Sequence, residues 1–377
     1  MGYSVFSGVQ TFTLSSALVI LLLLLAGLAN AGLPLEKIQL PPGFEIEIYA
    51  TDVENARQMA RGDNGVLFVG SRRAGNVYAL RDTNGDGAID QQLIIAKDLK
   101  MPSGLAFRQG DLYVGAVESI LRFPKIESRL GAPAKEVLSE GFPDKTHHGW
   151  KYLGFGADGW LYVPVGAPCN ICDDAGFAEI RRLNIDTGEI QTYANGVRNS
   201  VGMDWHPVNG ALWFTDNGRD HMGDDIPADE LNFAPEQGLH FGYPHCHQGD
   251  TLDPEFGKGK SCADYQPPAH NLGAHVAALG MKFYTGKQFP AEYQQRLFIV
   301  ERGSWNRSSK VGYRIVMVNA SAAGVVTDFQ VFASGWLQGE EAWGRPNDVL
   351  VLPDGSLLVS DDKANVIYRI FYNGADQ

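Results

Sequence analysis

Short apolar triplets, separated by polar turns, set the pattern of hydrophobic and polar positions along this chain of 377 residues. Six triplets recur, five of them after a turn that contains glycine: Leu67-Phe68-Val69, Leu112-Tyr113-Val114, Leu161-Tyr162-Val163, Leu212-Trp213-Phe214, Leu297-Phe298-Ile299 and Leu357-Leu358-Val359. The first three intervals are 45, 49 and 51 residues, and the two longer intervals that follow indicate insertions. Repeats of about 40–50 residues with several short strands each are typical of propeller blades. The sequence therefore predicts an all-β fold, a six-bladed β-propeller that forms a single domain.

Helical periodicity is almost absent from the chain. Residues 290–295 are expected to form one short helical turn, and the rest consists of short alternating strands punctuated by 44 Gly and 19 Pro. No linker or low-complexity tract marks a second domain.

The first 31 residues do not belong to this pattern. An apolar run of twelve residues, Ala17 to Leu28, is followed by Ala29-Asn30-Ala31, a small-residue pattern typical of signal-peptide cleavage. The run is shorter than the roughly 20 residues that span a bilayer. No Lys or Arg precedes it, which leaves an uncleaved anchor as the alternative. We predict a signal peptide at 1–31, a propeller domain at 32–377 without a membrane span, and a secreted or periplasmic location.

The net charge of −13 falls entirely on the predicted mature chain, because residues 1–31 contain no charged side chain. An acidic protein is a poor partner for nucleic acids and for anionic membrane surfaces. Clusters of arginine are informative in such a chain because they run against its average charge.

Four cysteines in a secreted chain predict two disulfides. Cys169 and Cys172 are close enough for a local bridge, and a bridge from Cys246 to Cys262 would close the segment between them. Metal binding by the thiols is the alternative interpretation.

Reactive side chains recur at one place in three of the repeats, ten to fourteen residues before the triplet. They are His148, Arg198, Asn199, Arg345 and Asn347, which lie 13, 14, 13, 12 and 10 residues before the triplet of their own repeat. In a propeller this place is the entry to the innermost strand, on the same rim as the loop that leaves the triplet strand. We therefore expect these side chains to converge at the mouth of the central channel.

The loops that leave the triplet strands add further polar side chains to the same rim: Arg72, Arg73, Asn217, Gly218, Arg219, Asp220, Arg302 and Lys363. Several arginines at a poorly hydrated channel mouth favour a small polyanion, held by charge-assisted hydrogen bonds. A neutral histidine beside it can act as a general base. Gly218 allows the backbone to approach a ligand or to turn its carbonyl toward a cation.

The chain resembles the soluble pyrroloquinoline-quinone (PQQ) sugar dehydrogenases, in particular their sorbosone dehydrogenase-like branch, over most of its predicted mature length. The most specific motifs are His148 with Leu153, Gly196-Val197-Arg198-Asn199 with Gly202, Asp216-Asn217-Gly218-Arg219-Asp220 with Asp229-Glu230-Leu231-Asn232, His240-Phe241-Gly242-Tyr243-Pro244 and Arg345-Pro346-Asn347-Asp348-Val349. The resemblance implies a six-bladed propeller that carries PQQ and calcium on one face. PQQ has three carboxylates and an ortho-quinone, which suits the arginines.

The resemblance implies a role in the reaction for two residues. His148 matches the base that removes the hydroxyl proton while a hydride passes from the sugar to the quinone. Arg198 matches a residue that contacts the quinone end of the cofactor. Both are therefore expected to be catalytic.

Other matched positions are expected to hold the cofactor and the metal ion. Asn199 and Asn217 match cofactor contacts, and Arg345 matches one of a pair of arginines that clamp PQQ, with Asn347 in its partner's place. Gly218 and Arg219 match the residues whose backbone carbonyls bind calcium. Arg302 is the best substitute for the family's lysine of the fifth blade, with Arg307 close behind.

The chain departs from the glucose-oxidising branch of this family at the base. The carboxylate that orients the base there falls near Ala167, whose methyl group cannot do so. Asp173, Asp174 or a backbone carbonyl remain as candidates to orient His148. His275 lies where a smaller polar residue is expected.

The leading hypothesis is a secreted dehydrogenase, dependent on PQQ and calcium, that oxidises an aldose, a sugar aldehyde or a sugar alcohol. Electrons would pass to an external acceptor, a quinone or a cytochrome. One alternative is a calcium-dependent propeller that hydrolyses sugar lactones, which requires a metal site of carboxylates and Asn. Another is a non-catalytic propeller that binds a ligand or a protein, which requires no base.

Overall fold

The computed structural model describes residues 1–3 and 32–374. The chain divides into two compact units, Met1–Leu35 and Glu36–Gln377. The predicted signal peptide concerns a segment of which residues 4–31 lie outside the described residues. Within the described ranges, no helix is sufficiently long and apolar to cross a membrane.

The second unit is a ring of six four-stranded antiparallel sheets, which confirms the predicted propeller. Strand β1, Phe44–Ala50, precedes the first blade. Blade 1 contains β2–β5: Ala56–Arg61, Leu67–Ser71, Val77–Arg81 and Gln91–Ala96. Blade 2 contains β6–β9: Gly104–Arg108, Asp111–Gly115, Ile120–Phe123 and Glu136–Ser139. Blade 3 contains β10–β13: Gly154–Phe155, Leu161–Val165, Glu179–Leu183 and Ile190–Asn195.

The remaining blades contain the insertions that the longer intervals indicated. Blade 4 contains β14–β16 and β19: Gly202–Trp205, Leu212–Asp216, Ala228–Ala234 and His270–Ala274. A hairpin is inserted within it, β17 (Cys246–His247) and β18 (Thr251–Leu252). Blade 5 contains β20–β23: Ala278–Phe283, Leu297–Glu301, Arg314–Ala320 and Val326–Ala333. The hairpin of β24 (Leu337–Gln338) and β25 (Glu341–Ala342) follows, and blade 6 contains β26–β28: Pro346–Val351, Leu357–Asp361 and Val366–Tyr372.

Short 3-10 turns are the helical elements of the described residues: Leu35–Lys37, Ile126–Ser128, Cys262–Asp264 and Ala291–Tyr293. The turn at Ala291–Tyr293 falls within the predicted segment 290–295. The sequence pattern gave no signal for the other three.

The ring closes with strands from both ends of the second unit. Strand β1 pairs antiparallel with β28 and becomes the fourth strand of blade 6, in the order β1-β28-β27-β26. The last blade is therefore complete only when the first strand of the unit joins it.

Each apolar triplet lies in the second strand of its blade, and these strands are buried throughout. The reason is that blades pack face to face, so both faces of a middle strand contact apolar side chains. Phe68 of blade 1 and Val114 of blade 2 belong to one cluster, whereas Val69 of blade 1 and Leu358 of blade 6 belong to another. The core is thus distributed between the blades.

Buried polar side chains tie the first strands of the blades together. Gln58 Oε1 accepts hydrogen bonds from the backbone N–H groups of Leu105 and Leu153, at 2.8 and 2.9 Å, and links blades 1, 2 and 3. Asp348 Oδ2 accepts from Met59 N at 2.9 Å and links blades 6 and 1. These bonds hold the rim above them at fixed positions.

Both predicted disulfides are present, Cys169–Cys172 and Cys246–Cys262. The first lies in the loop between β11 and β12, and the second closes the insertion in blade 4. The alternative of thiol metal ligands is thereby wrong.

Candidate functional site

A cavity of about 700 Å³, counted to its open mouth, lies where loops of several blades meet. The predicted residues that line it are His148, Arg198, Asn199, Asn217, Gly218 and Arg302. Residues separated by more than 150 positions in the chain therefore converge, as the repeat pattern predicted.

The residues predicted at this rim that do not line the cavity are Arg73, Arg219, Arg345, Asn347 and Lys363. Asn347 borders a smaller void of about 220 Å³, and its Nδ2 donates to the carbonyl of Arg345 at 3.1 Å. The side chain of Arg219 forms an ion pair with Asp253 and is buried. The Nε atom of Arg345 lies 3.1 Å from Asp362 Oδ1.

Asp362 is the centre of a group that we call the arginine cluster: Arg57, Arg72, Arg302, Arg345 and Asp362. The carboxylate lies 3.0 Å from Arg57 Nη2, 2.8 Å from Arg302 Nη2 and 3.1 Å from Arg345 Nε. Arg72 is positioned differently, with its guanidinium carbon 3.5 Å from the ring centroid of Trp150. Blades 1, 5 and 6 contribute the five residues.

Positive charge exceeds negative charge in the arginine cluster, because four guanidinium groups share one carboxylate. Burial and the neighbouring arginines lower the pKa of Arg57 to about 9 and that of Arg72 to about 10. Burial would raise the pKa of Asp362, but the arginines hold it at about 2. The Nε atoms of Arg57 and Arg72 are buried without a hydrogen-bond partner. These donors and the uncompensated charge suit an anion with several carboxylates.

His148 belongs to a second group, the histidine face, which consists of His148, Ala167 and Arg198 from blades 3 and 4. The Nδ1 atom of His148 lies 2.9 Å from the carbonyl oxygen of Ala167. Since a carbonyl only accepts, Nδ1 carries the hydrogen and Nε2 keeps its lone pair. The backbone carbonyl of Ala167 therefore orients the ring. Of the three candidates named from the sequence, it is this carbonyl, and not Asp173 or Asp174, that contacts His148.

The imidazole of His148 is held in its neutral form. Burial, followed by the positive charge of Arg198, lowers its pKa well below 6.5. The residue also adopts a φ of +47°, an uncommon and strained conformation for a side chain with a Cβ. Gly166 makes room for it, because a Cβ there would lie 2.5 Å from the Cβ of His148.

Arg198 is buried beneath the cavity and firmly held. Its Nη1 donates to the carbonyl of Asn217 at 3.0 Å, and its Nη2 lies 3.3 Å from Asp220 Oδ2. Asp216 accepts hydrogen bonds from the backbone N–H groups of Arg198 and Asn199, at 2.8 and 2.6 Å. The strand end at Asp216 thus fixes the backbone of both predicted residues.

Backbone oxygens near Gly218 are the candidates for a calcium ion. Asp229 accepts from the N–H groups of Gly218 and Ala277, at 2.8 and 2.6 Å, so its carboxylate is occupied in shaping the loop. Among the described residues, the carbonyl oxygens of Gly218 and Arg219 accept no hydrogen bond. In the described part of the chain, no group of three or more His, Cys, Asp or Glu side chains is arranged to bind a metal ion. These free carbonyls fit a hard cation such as calcium.

Two residues that line the cavity, Arg57 and Trp150, were missing from the sequence prediction. Asp229, which belongs to a matched motif but had no assigned role, also lines it, and so does Trp305, which is 70% exposed. His275 also lines it, and its Nε2 donates to the carbonyl of Gly223 at 2.8 Å. Lys363 is exposed and does not line the cavity.

Comparisons with known proteins agree with this fold. A family model described as "Domain of unknown function (DUF7133)" matches residues 32–369. An uncharacterized protein of Borreliella burgdorferi is 32% identical over 351 residues, which cover 89% of this chain and 91% of that protein. An aldose sugar dehydrogenase of Escherichia coli is 29% identical over 181 residues, 47% of this chain and 42% of that protein.

Solved structures with the same fold include two sugar-active proteins. One is a carbohydrate-active enzyme of family AA12 from Trichoderma reesei, with a TM-score of 0.79 and 21% identity over 91% of this chain and 99% of that one. The other is the PQQ domain of a pyranose dehydrogenase from Coprinopsis cinerea, in its holo form, with a TM-score of 0.75 and 17% identity over 89% and 97%. At these identities the likeness demonstrates the fold alone.

Proposed function

The chain belongs to the DUF7133 family, and from this premise we propose that it is a PQQ- and calcium-dependent dehydrogenase of sugars. The substrate would be an aldose, a sugar aldehyde or a sugar alcohol. The names of two relatives support this class, since one is an aldose sugar dehydrogenase and the other contains a PQQ domain.

The arginine cluster is the observation that carries the proposal. PQQ has three carboxylates, and the cluster offers four guanidinium groups, three of which share the carboxylate of Asp362. Charge-assisted hydrogen bonds from arginine to carboxylate are about twice as strong as neutral ones. An anionic guest of this kind would satisfy the buried Nε donors of Arg57 and Arg72.

His148 is the proposed general base. Its neutral ring, with Nε2 free, can accept the proton of a substrate hydroxyl as the carbon of that group loses a hydride. The low pKa keeps the lone pair available, because an imidazolium could not accept a proton. Arg198 would place positive charge beside the developing negative charge on the reacting oxygens.

Bound PQQ would supply the hydride acceptor, and an external quinone or cytochrome would take the electrons onward. Asn199 and Asn217 are proposed to contact the cofactor, together with Arg302 and Arg345 of the arginine cluster. Asn347 stands where the family has the second clamping arginine, but it does not line the cavity. Arg57 and Arg72 do line it and are proposed to clamp the cofactor with Arg345. The carbonyls of Gly218 and Arg219 would hold the calcium ion.

A secreted or periplasmic location is part of the proposal. The apolar run at Ala17 to Leu28 and two disulfides support it, because disulfides persist in oxidising compartments. A periplasmic or extracellular enzyme would deliver its electrons to a separate carrier.

The test is reconstitution of purified protein with PQQ, with calcium or with a chelator, followed by dye reduction on a panel of sugars. We expect a rise in melting temperature and a change in PQQ absorbance with calcium, and dye reduction with at least one sugar. Binding without reduction on any sugar or sugar alcohol would contradict the dehydrogenase.

The two alternatives give different results in the same experiment. A lactone hydrolase would release acid from sugar lactones with calcium alone, and a binding propeller would respond to neither PQQ nor lactone. The cavity argues against the first, because its lining is rich in arginine, whereas a lactone hydrolase requires a metal site of carboxylates and Asn.

A further inference from the structure

Asn170 forms four hydrogen bonds in the loop between β11 and β12, and none of its roles was expected from the sequence. Its Oδ1 accepts from Arg198 Nη2 and from the backbone N–H of Asp220, both at 2.8 Å. Its carbonyl oxygen accepts from Arg198 Nε at 2.9 Å. Its Nδ2 donates to the carbonyl of Asp220 at 3.0 Å. One asparagine thus joins the guanidinium of Arg198 to the turn at Asp220.

The orientation of Arg198 depends on these contacts. A guanidinium has five N–H donors in a rigid planar fork, so two bonds to one neighbour fix its plane. Asn170 accepts from both Nε and Nη2, whereas Asn217 and Asp220 each contact a single nitrogen. Without the Asn170 side chain, Nε would keep the backbone carbonyl of residue 170, but Nη2 would lose its Oδ1 partner and the loop would lose both bonds to Asp220. The plane of the guanidinium would then be less firmly fixed.

The disulfide between Cys169 and Cys172 encloses Asn170. It joins residues only 3 positions apart, whereas Cys246–Cys262 joins residues 16 apart. A shorter loop restricts the unfolded chain less, so global stability is a weak reason for the first bridge. The bridge does fix the backbone that presents the carbonyl of Asn170, and Cys172 N donates to the hydroxyl of Tyr243 at 3.0 Å.

We propose that Asn170, held by the Cys169–Cys172 disulfide, is a positioning residue that fixes the guanidinium of Arg198 on the histidine face. The proposal deepens the dehydrogenase function and rests on it for its effect on turnover. Its effect on His148 is independent of any cofactor. Burial is the largest cause that lowers the pKa of His148, and the charge of Arg198 comes next, before His147 and Arg72. A guanidinium that moves away therefore removes part of the shift and lets the imidazole bind a proton more readily.

The first measurement uses the cofactor-free protein. The pKa of His148 is determined by NMR titration of ring-labelled histidine, with His148→Ala to assign the signal. In Asn170→Ala we expect the pKa of His148 to move upward toward 6.5, because Arg198 is less constrained. Asn170→Asp keeps both oxygens that accept from Arg198 but adds a negative charge beside it, which itself raises the pKa of His148, so this variant is used only in the kinetic measurement.

The second measurement uses the protein loaded with PQQ and calcium. We expect Asn170→Ala to lower kcat about tenfold to a hundredfold, the cost of a small misplacement of a reacting group. Asn170→Asp should recover most of it, and the acid limb of the pH profile should rise in the alanine variant. The matched control is Asn209→Ala. Asn209 lies on the hairpin between β14 and β15, and its Nδ2 donates to the carbonyl of Ala322 in the loop between β22 and β23.

Removal of the bridge tests the second half of the proposal. Cys169→Ser with Cys172→Ser should raise the pKa of His148 and lower kcat, with a smaller loss in melting temperature than Cys246→Ser with Cys262→Ser.

Two results separate this proposal from the proposed function. An unchanged pKa of His148 in both Asn170→Ala and the Cys169–Cys172 variant would overturn the positioning role. Failure of the wild-type protein to reduce dye with PQQ would remove the dehydrogenase, while the titration would still decide the role of Asn170.

Discussion

The arginine cluster and the histidine face both contribute side chains to the cavity, Arg57, Arg72 and Arg302 from the first and His148 and Arg198 from the second, but they differ in charge. In the cluster, Arg57, Arg302 and Arg345 surround Asp362, and with Arg72 nearby the positive charge exceeds the negative charge. On the histidine face, burial and one arginine keep an imidazole uncharged. The first arrangement suits binding of a fixed anion, and the second suits transfer of a proton. The two tasks are divided between blades 5, 6 and 1 and blades 3 and 4.

The largest effect is expected from loss of the base. His148→Ala should lower turnover by about 10²–10⁴-fold while PQQ still binds, because the arginine cluster is untouched. Steady-state kinetics and a PQQ titration measure the two quantities. His147→Ala is the matched control, and a comparable loss of turnover there would shift the base to His147.

Loss of Asp362 should act on stability. Asp362→Ala leaves buried guanidinium groups without a counter-charge, which we expect to cost about 3–5 kcal/mol in the free energy of unfolding. Urea unfolding at pH 7 measures it, with the exposed Asp63→Ala as control. Since the pKa of Asp362 is depressed to about 2, its contribution is present above about pH 4 and is lost as the pH falls toward 2. A difference that persists at pH 2 would contradict this account.

Loss of one arginine should act on cofactor affinity. Arg72→Gln removes a charge-assisted contact, for which we expect PQQ to bind about ten- to a hundredfold more weakly, with kcat at saturation nearly unchanged. Arg73→Gln is the matched control, because Arg73 is the exposed neighbour in the chain. Equal losses in both variants would mean that long-range charge, not contact, governs binding.

The smallest effect is a displacement of the pH profile. Because the pKa of His148 is lowered, the neutral base persists as the pH falls, and the acid limb of kcat/KM should lie below pH 6.5. The residual activity of His148→Ala should lack that limb. A limb at or above pH 6.5 would mean that His148 is not shielded as the structure indicates.

The repeat pattern was sufficient to predict the six blades and most of the site, because each position of a repeat has a fixed place in its blade. Arg72, Asn217, Arg302 and Asp362 each lie five residues after the first residue of their triplet. The prediction selected Lys363 and overlooked Asp362 because it looked for cations and did not apply this spacing. Arg57 lies ten residues before Leu67, the same spacing that separates Asn347 from Leu357, and the prediction nevertheless omitted it.

Other features could not be deduced from residue spacing. From the sequence, Ala167 was not expected to orient the base, because its side chain has no hydrogen-bond acceptor. In the structure its backbone oxygen does so, 2.9 Å from His148 Nδ1. Every residue has such a carbonyl, so residue identity does not reveal which one is used. The same holds for Asn170, whose bonds depend on how a disulfide-closed loop folds onto its neighbour.

The pairing of β1 with β28 makes the binding site a property of the entire ring. Blade 6 supplies Arg345 and Asp362, and its outermost strand comes from residues more than 290 positions earlier. A chain that lacks Phe44–Ala50 would retain every residue of the arginine cluster and yet leave the blade that supports it with an open edge. Deletion of this distant strand should therefore weaken PQQ binding more than it changes the surroundings of His148. The fraction of protein that binds PQQ would then report whether the ring of blades is closed.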